Sequence, residues 1–166
     1  MNADVELSSV AGVRTMALAD FIQGNRKTQR RPDELLTAIL IPAATDSARS
    51  SFSKLGARDY LVISIVSVAA LIELSPAGEI EMARIAVGAC SEVPCRLPAL
   101  EAALVGRMPA DIGADFLNEQ HLAPLSPIDD VRGRAEYRLD VVREMIARAI
   151  ADCGDGADCG SEEDQT

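Results

Sequence analysis

Apolar positions change their period several times along the chain, and the changes mark its elements. Val5 to Met16 alternates weakly and contains Gly12, which predicts an extended segment or hairpin remnant. Leu18 to Ile22 fits one helical turn, stopped by Gly24. Pro32 opens a turn, and Glu34 to Ile41 reads as a strand closed by Pro42. This stretch, residues 1–42, is thin in apolar mass and reads as the end of a larger unit. Residues 43–48 are small and polar and read as a linker.

Extended patterns follow. Arg49 to Arg58 alternates poorly but leads into Leu61 to Leu74, whose Ile and Val content predicts a strand covered on both faces. Ser75-Pro76-Ala77-Gly78 is a hairpin connection. Glu79 to Ala89 places Ile80 and Met82 on one face and Glu79 and Glu81 on the other, then becomes apolar on both faces. Three antiparallel strands are expected. The period then turns helical. Pro98 to Val105 is a short helix with Pro near its start and Gly106 past its end. Pro109 to about His121 reads as a second, with Ile112, Phe116 and Leu117 on one side. Arg134 to Ala151 reads as a long amphipathic helix, in which Tyr137 leads a stripe of Leu139, Val142, Met145, Ile146, Ala149 and Ile150. Glu144 and Arg148 are spaced for a surface ion pair. The order argues for an α+β layer, an antiparallel sheet with helices on one face.

Composition narrows the function. The chain has 166 residues and a net charge of -10, which disfavours nucleic acid as a partner because phosphate contacts need clustered positive charge. Much of that charge sits at the end, where Asp152, Asp155, Asp158, Glu162, Glu163 and Asp164 occur without Lys or Arg; residues 153–166 read as an acidic disordered tail. No apolar run is long enough for a membrane span, and the N-terminus lacks a secretory pattern, so a cytoplasmic setting is expected. Cys90 with Cys95, and Cys153 with Cys159, lack the usual zinc-knuckle spacing and read as thiols in a reducing compartment. A Cys153–Cys159 disulfide on oxidation is not required.

No phosphate-cradling glycine loop, nucleophile elbow or histidine pair is present. Asp129-Asp130 is best read as negative charge at a helix N-terminus. Arg132, Arg134 and Arg138 read as an ion-pair network with Asp129, Asp130 and Glu136. His121 reads as a cap or packing residue, and Met82 and Met145 as core filler.

Phrases in a fixed order add to this reading. They are Gly24-Asn25-Arg26-Lys27-Thr28, Arg31-Pro32-Asp33-Glu34-Leu35-Leu36, Ile39-Leu40-Ile41-Pro42, and Phe52-Ser53-Lys54 with Arg58. Then come Val66-Ser67-Val68-Ala69, Ala83-Arg84-Ile85-Ala86-Val87-Gly88, Pro94 with Arg96, Glu101 with Leu104 and Gly106, and residues 130–138. Over roughly residues 12–150 the chain resembles the C-terminal half of the FAD-binding (medium) subunit of molybdenum hydroxylases, the family of the carbon monoxide dehydrogenase flavoprotein and the xanthine dehydrogenase FAD subunit.

The resemblance implies a three- to four-stranded antiparallel sheet followed by three helices over residues 43–152. Residues 1–42 would be the trailing strands of an FAD-binding lobe of the p-cresol-methylhydroxylase type. It implies a part in an FAD-dependent oxidoreductase, with the N-terminal FAD lobe and the molybdenum and iron–sulfur subunits as partners. The lobe's two glycine-rich segments lie upstream in the family and are not in this chain, so FAD binding is expected to be weak or absent without them. An Asp frequent in the family is replaced by Val62. By phrase, the family's flavin-flanking Leu and Lys match Leu36 and Lys54. A fixed positive charge near the flavin favours its anionic reduced form. The alternative is a stand-alone binding or assembly module that kept the fold but not the cofactor.

Overall fold

The computed structural model describes residues 2–58 and 61–155, so the tail expected at 153–166 lies almost wholly outside the described residues. The chain divides into two compact units, 1–44 and 45–166.

The first unit is built on strands β1 (Asp4–Ser9), β2 (Gly12–Ala17) and β5 (Leu35–Leu40), in the antiparallel order β2-β1-β5. The β1–β2 register from Asp4↔Ala17 to Ser9↔Gly12 leaves a two-residue loop, and Gly12 follows it at a φ of +137°, open to glycine but hardly to other residues. Between β2 and β5 come a four-residue helix, α1 (Leu18–Phe21), and a small ribbon, β3 (Ile22–Gly24) with β4 (Lys27–Thr28). Period-two alternation sends Val5 and Leu7 inward, where they meet Phe21, Met16 and Leu18 in a very small core.

The second unit holds a four-stranded antiparallel meander, β6 (Ala48–Leu55), β7 (Val66–Leu74), β8 (Ile80–Gly88) and β9 (Cys95–Arg96). Helices α2 (Pro98–Leu104), α3 (Glu119–Leu122) and α4 (Ala135–Gly154) follow. Val66, Val68, Ala70 and Ile72 of β7, with Ile80, Ala83, Ile85 and Val87 of β8, form one core with Leu100, Leu104, Val142, Ile146 and Ile150. The helices α2 and α4 lie on that face, α2 against β8 and α4 against β7 and β6.

Several expectations need correction. The β7 strand starts at Val66, and only one of its faces is covered: Ala69 is exposed, and Ser67 and Leu71 are half-buried. Its Val-rich run reflected β-propensity, not burial on two sides. Ile80 and Met82 do not share a face. A bulge pairs Leu74 with Ile80 but Glu73 with Met82, so Ile80 enters the core and Met82 stays half-buried on the other face. Met82 is therefore not core filler, whereas Met145 packs against the core. Residues 109–121 form no single helix. Two 3-10 turns, Pro109–Asp111 and Ala114–Phe116, precede α3, and Gly113 separates them. Ile112 and Leu117 still reach the core, through turns instead of a helical stripe. On α4 the leading inward residue is Arg138, 3% exposed, while Tyr137 is exposed. The periodicity gave three strands, because the two residues of β9 carry none; the fourth strand falls within the three- to four-stranded sheet that the resemblance implied.

Candidate functional site

Lys54 lies near the end of β6. Alternation turns Ser51 toward the helices, where its hydroxyl meets Asp152 Oδ2 at 3.1 Å, and turns Phe52 and Lys54 to the uncovered face. Lys54 is opposite Ser67 across the β6–β7 ladder, and Phe52 is opposite Ala69. The Lys54 Nζ donates to the Val62 carbonyl at 2.7 Å, so an exposed ammonium is held in place by backbone. Gly56 makes this possible. A Cβ there would run into the Val62 side chain, so the loop returns over Gly56 only because Gly56 has none. At Val62, where the family often has Asp, the group that meets the lysine is a main-chain carbonyl.

Leu36 belongs to the other unit and is 45% exposed on β5. An exposed apolar side chain and a fixed cation are the donor set that a flavin ring system takes from a protein wall. Nothing in the sequence resembles a diphosphate cradle. Taken each by itself, Leu36 is of a kind that would offer a flavin an apolar contact, and Lys54 of a kind that would offer it a fixed charge.

The arginine network is real but smaller than expected. Asp130 accepts from the Arg132 amide at 2.8 Å, from Arg132 Nη1 at 2.9 Å and from Arg138 Nη2 at 2.6 Å. The Arg132 amide, then its guanidinium and that of Arg138, lower the Asp130 carboxyl to about 2 against the cost of burial. Arg138 also donates from Nη1 to the Ala89 carbonyl at 2.9 Å, where Ala89 sits at a left-handed φ of 65°. Arg138 thus fixes the turn after β8 to the start of α4. Asp129 accepts from the Ala135 amide at 2.6 Å, the helix-end role read from sequence. Arg134 and Glu136 take no part in the ion pairs of the described residues.

Arg96 and Glu101, part of the phrases above, form a two-pronged ion pair at 2.6 and 2.7 Å. Glu101 Oε1 also accepts from the Ile85 amide at 2.9 Å, supplying a partner at the β8 edge where β9 gives way to α2. His121 stacks on Phe116 at 5.4 Å and completes a capping box with Asn118, as read. Glu144 and Arg148 pair at 2.8 Å. Cys90 and Cys95 form no disulfide, and burial pushes the Cys90 thiol up. Cys159 lies outside the described residues. Among the described residues no cluster of three or more His, Cys, Asp or Glu could hold a metal ion.

The fold is an α+β domain, an antiparallel sheet with helices on one face, preceded in the chain by the strands of another unit. Residues 50–153 match the CO dehydrogenase flavoprotein C-terminal domain, and residues 1–44 match the FAD binding domain in molybdopterin dehydrogenase. The chain belongs to this family of molybdenum hydroxylase FAD subunits. It is 31% identical over 154 residues to the nicotine 6-hydroxylase medium subunit of Paenarthrobacter nicotinovorans, covering 93% of this chain and 53% of that one. It is 32% identical over 155 residues to the carbon monoxide dehydrogenase medium chain of Afipia carboxidovorans, covering 90% and 51%. Among solved structures, reconstituted CO dehydrogenase from Oligotropha carboxidovorans superposes with a TM-score of 0.86 at 28% identity, over 94% of this chain and 54% of that one. The chain thus spans about half the length of the relatives it matches. No helix among the described residues is long and apolar enough to cross a membrane.

Proposed function

We propose that this chain is the C-terminal portion of the FAD subunit of a molybdenum hydroxylase-type oxidoreductase. It closes one side of the flavin pocket and supports assembly with an N-terminal FAD lobe and with molybdenum and iron–sulfur subunits, in the cytoplasm. Electrons in such a complex run from molybdenum through iron–sulfur centres to FAD, which supplies the redox chemistry when bound. The observation that carries the reading is Lys54, an exposed ammonium fixed at 2.7 Å to the Val62 carbonyl in a chain matching the family over both units. Leu36, on the other unit, is the second residue that the resemblance assigns to the flavin. Alone, the chain holds FAD weakly or not at all.

The test is Lys54→Ala in the subunit completed with an FAD lobe. Loss of a fixed charge worth about 1 kcal/mol or more near the ring system makes the flavin harder to reduce, lowering its two-electron potential by roughly 20 mV or more. FAD retention weakens in the same variant. An unchanged potential with unchanged retention removes Lys54 from the site.

A further inference from the structure

Between Asp20 and Asp33 the chain carries Arg26, Lys27, Arg30 and Arg31 and no acidic residue, although its net charge is -10. Every residue from Asn25 to Arg31 is exposed. The pairing of Gly24 with Lys27 puts Asn25 and Arg26 at the tip of the β3–β4 ribbon, where Arg26 takes a left-handed φ of 59°. Glycine takes that conformation without strain and arginine only against it, so an arginine at this position costs stability.

These charges stand uncompensated on a fixed support. Among the described residues Arg26 and Lys27 make no ion pair and no side-chain hydrogen bond. Arg30 Nη1 donates to the carbonyls of Arg31 at 3.1 Å and Glu34 at 2.7 Å, neutral acceptors that hold the guanidinium and leave its charge. Arg31 Nε lies 3.9 Å from Glu34 Oε1 with its side chain 69% exposed, and the Glu34 carboxylate is already taken by Arg14. The segment is tied down at Gln29, whose amide donates to the Phe21 carbonyl at 2.9 Å and whose carbonyl accepts from Arg14 Nη2 at 3.0 Å. None of the four charges is buried, so each alone binds weakly, and only a broad anionic surface that meets several at once gains much. Gly24 to Arg31 offers no apolar side chain, which a lasting subunit interface or a membrane anchor would use, and no aromatic ring on which a base could stack.

We propose that the β3–β4 ribbon, with Arg30 and Arg31, is the docking site for the acidic face of a redox protein that takes electrons from the flavin. The proposal rests on the functional reading above. In such a complex the molybdenum and iron–sulfur subunits stay bound, while a protein acceptor must leave after each delivery, and small, charged contacts are the kind that exchange. Two acceptors, each taking one electron, reoxidise one two-electron-reduced flavin, whose protons pass to water. The net charge of -10 opposes an acidic partner at long range. At about 0.1 M salt, however, charges more than about 10 Å apart are largely screened, so the ribbon decides at contact.

The experiment titrates the isotope-labelled full chain with two acidic one-electron acceptors, a plant-type ferredoxin and a flavodoxin, at about 0.1 M and about 1 M salt. It reads amide shifts by NMR and the dissociation constant. The double variant Arg26→Gly with Lys27→Glu, which relieves the backbone as it changes the charge, is run beside the parent, with circular dichroism confirming its fold. Arg148→Glu, in the other unit, is the control. The expected result is saturable shifts confined to residues 24–31 and at least tenfold weaker binding at the higher salt. The double variant binds at least tenfold more weakly, and Arg148→Glu binds as the parent does. No binding of either acceptor, binding that strengthens with salt, or shifts lying away from the ribbon overturns the proposal. Flavin uptake is read separately, with the FAD-binding lobe of the nicotine 6-hydroxylase medium subunit supplied. Docking on the ribbon without flavin uptake supports the docking site and overturns the functional reading. Flavin uptake without docking on the ribbon does the reverse.

Discussion

Glu34 is a buried carboxylate that accepts three hydrogen bonds. It is 4% exposed and takes Arg14 Nε at 2.6 Å, Arg14 Nη2 at 2.9 Å and the Arg31 amide at 2.7 Å. The Arg14 guanidinium above all holds its carboxyl down to about 2, from an ordinary 4.5. A depressed carboxyl stabilises the fold while ionised, so its contribution is complete above the unfolded value and is lost as pH falls through the folded one. The advantage of the parent chain over Glu34→Gln should therefore shrink between about pH 5 and about pH 2. Thermal unfolding followed across that window checks this, and equal acid slopes for parent and variant would contradict it. None of this pairing was legible in the sequence, where Arg14 and Glu34 stand twenty residues apart in different elements. Lys54 was legible as a position, through the phrase around it. Its anchor was not, because a backbone carbonyl at Val62 leaves no mark on residue type.

Among the elements, the long helix was the most readable and its burial the least. The stripe from Val142 to Ile150 enters the core as its spacing requires. Arg138 joins it, because three polar partners, the Asp130 carboxylate and the carbonyls of Ile65 and Ala89, take its two terminal nitrogens, although its buried Nε has no partner among the described residues. A hydrophobicity pattern gives such a residue to solvent. Bulges defeated the reading for a related reason. At Glu81 and Thr37 one extra residue reverses the alternation, and an apolar run such as Leu35 to Ile41 has no polar phase to reveal it. Truncating the α4 stripe tests the packing directly. Ile146 is fully buried, so Ile146→Ala should cost about 2 to 5 kcal/mol in chemical denaturation. A loss below about 1 kcal/mol would mean that α4 is not seated on β7 as described.

At the scale of the whole molecule, the two units differ in self-sufficiency. Residues 45–166 enclose a core shared by a four-stranded sheet and the helices, whereas among the described residues of 1–44 the apolar core is Val5, Leu7 and Phe21, and the apolar side chains of β5 stand exposed. The thin apolar mass of the first stretch was visible in the sequence and already suggested the end of something larger. The matches to two successive family domains, over about half the relatives' length, agree with that reading. Titration of FAD into the full chain, alone and with an FAD-binding lobe supplied, tests the central claim most directly. The account predicts no binding at micromolar FAD by the chain alone, and stoichiometric flavin in the mixture. Micromolar or tighter binding by the chain alone would contradict it, and so would a mixture that never takes up flavin, the behaviour of a module that kept the fold without the cofactor.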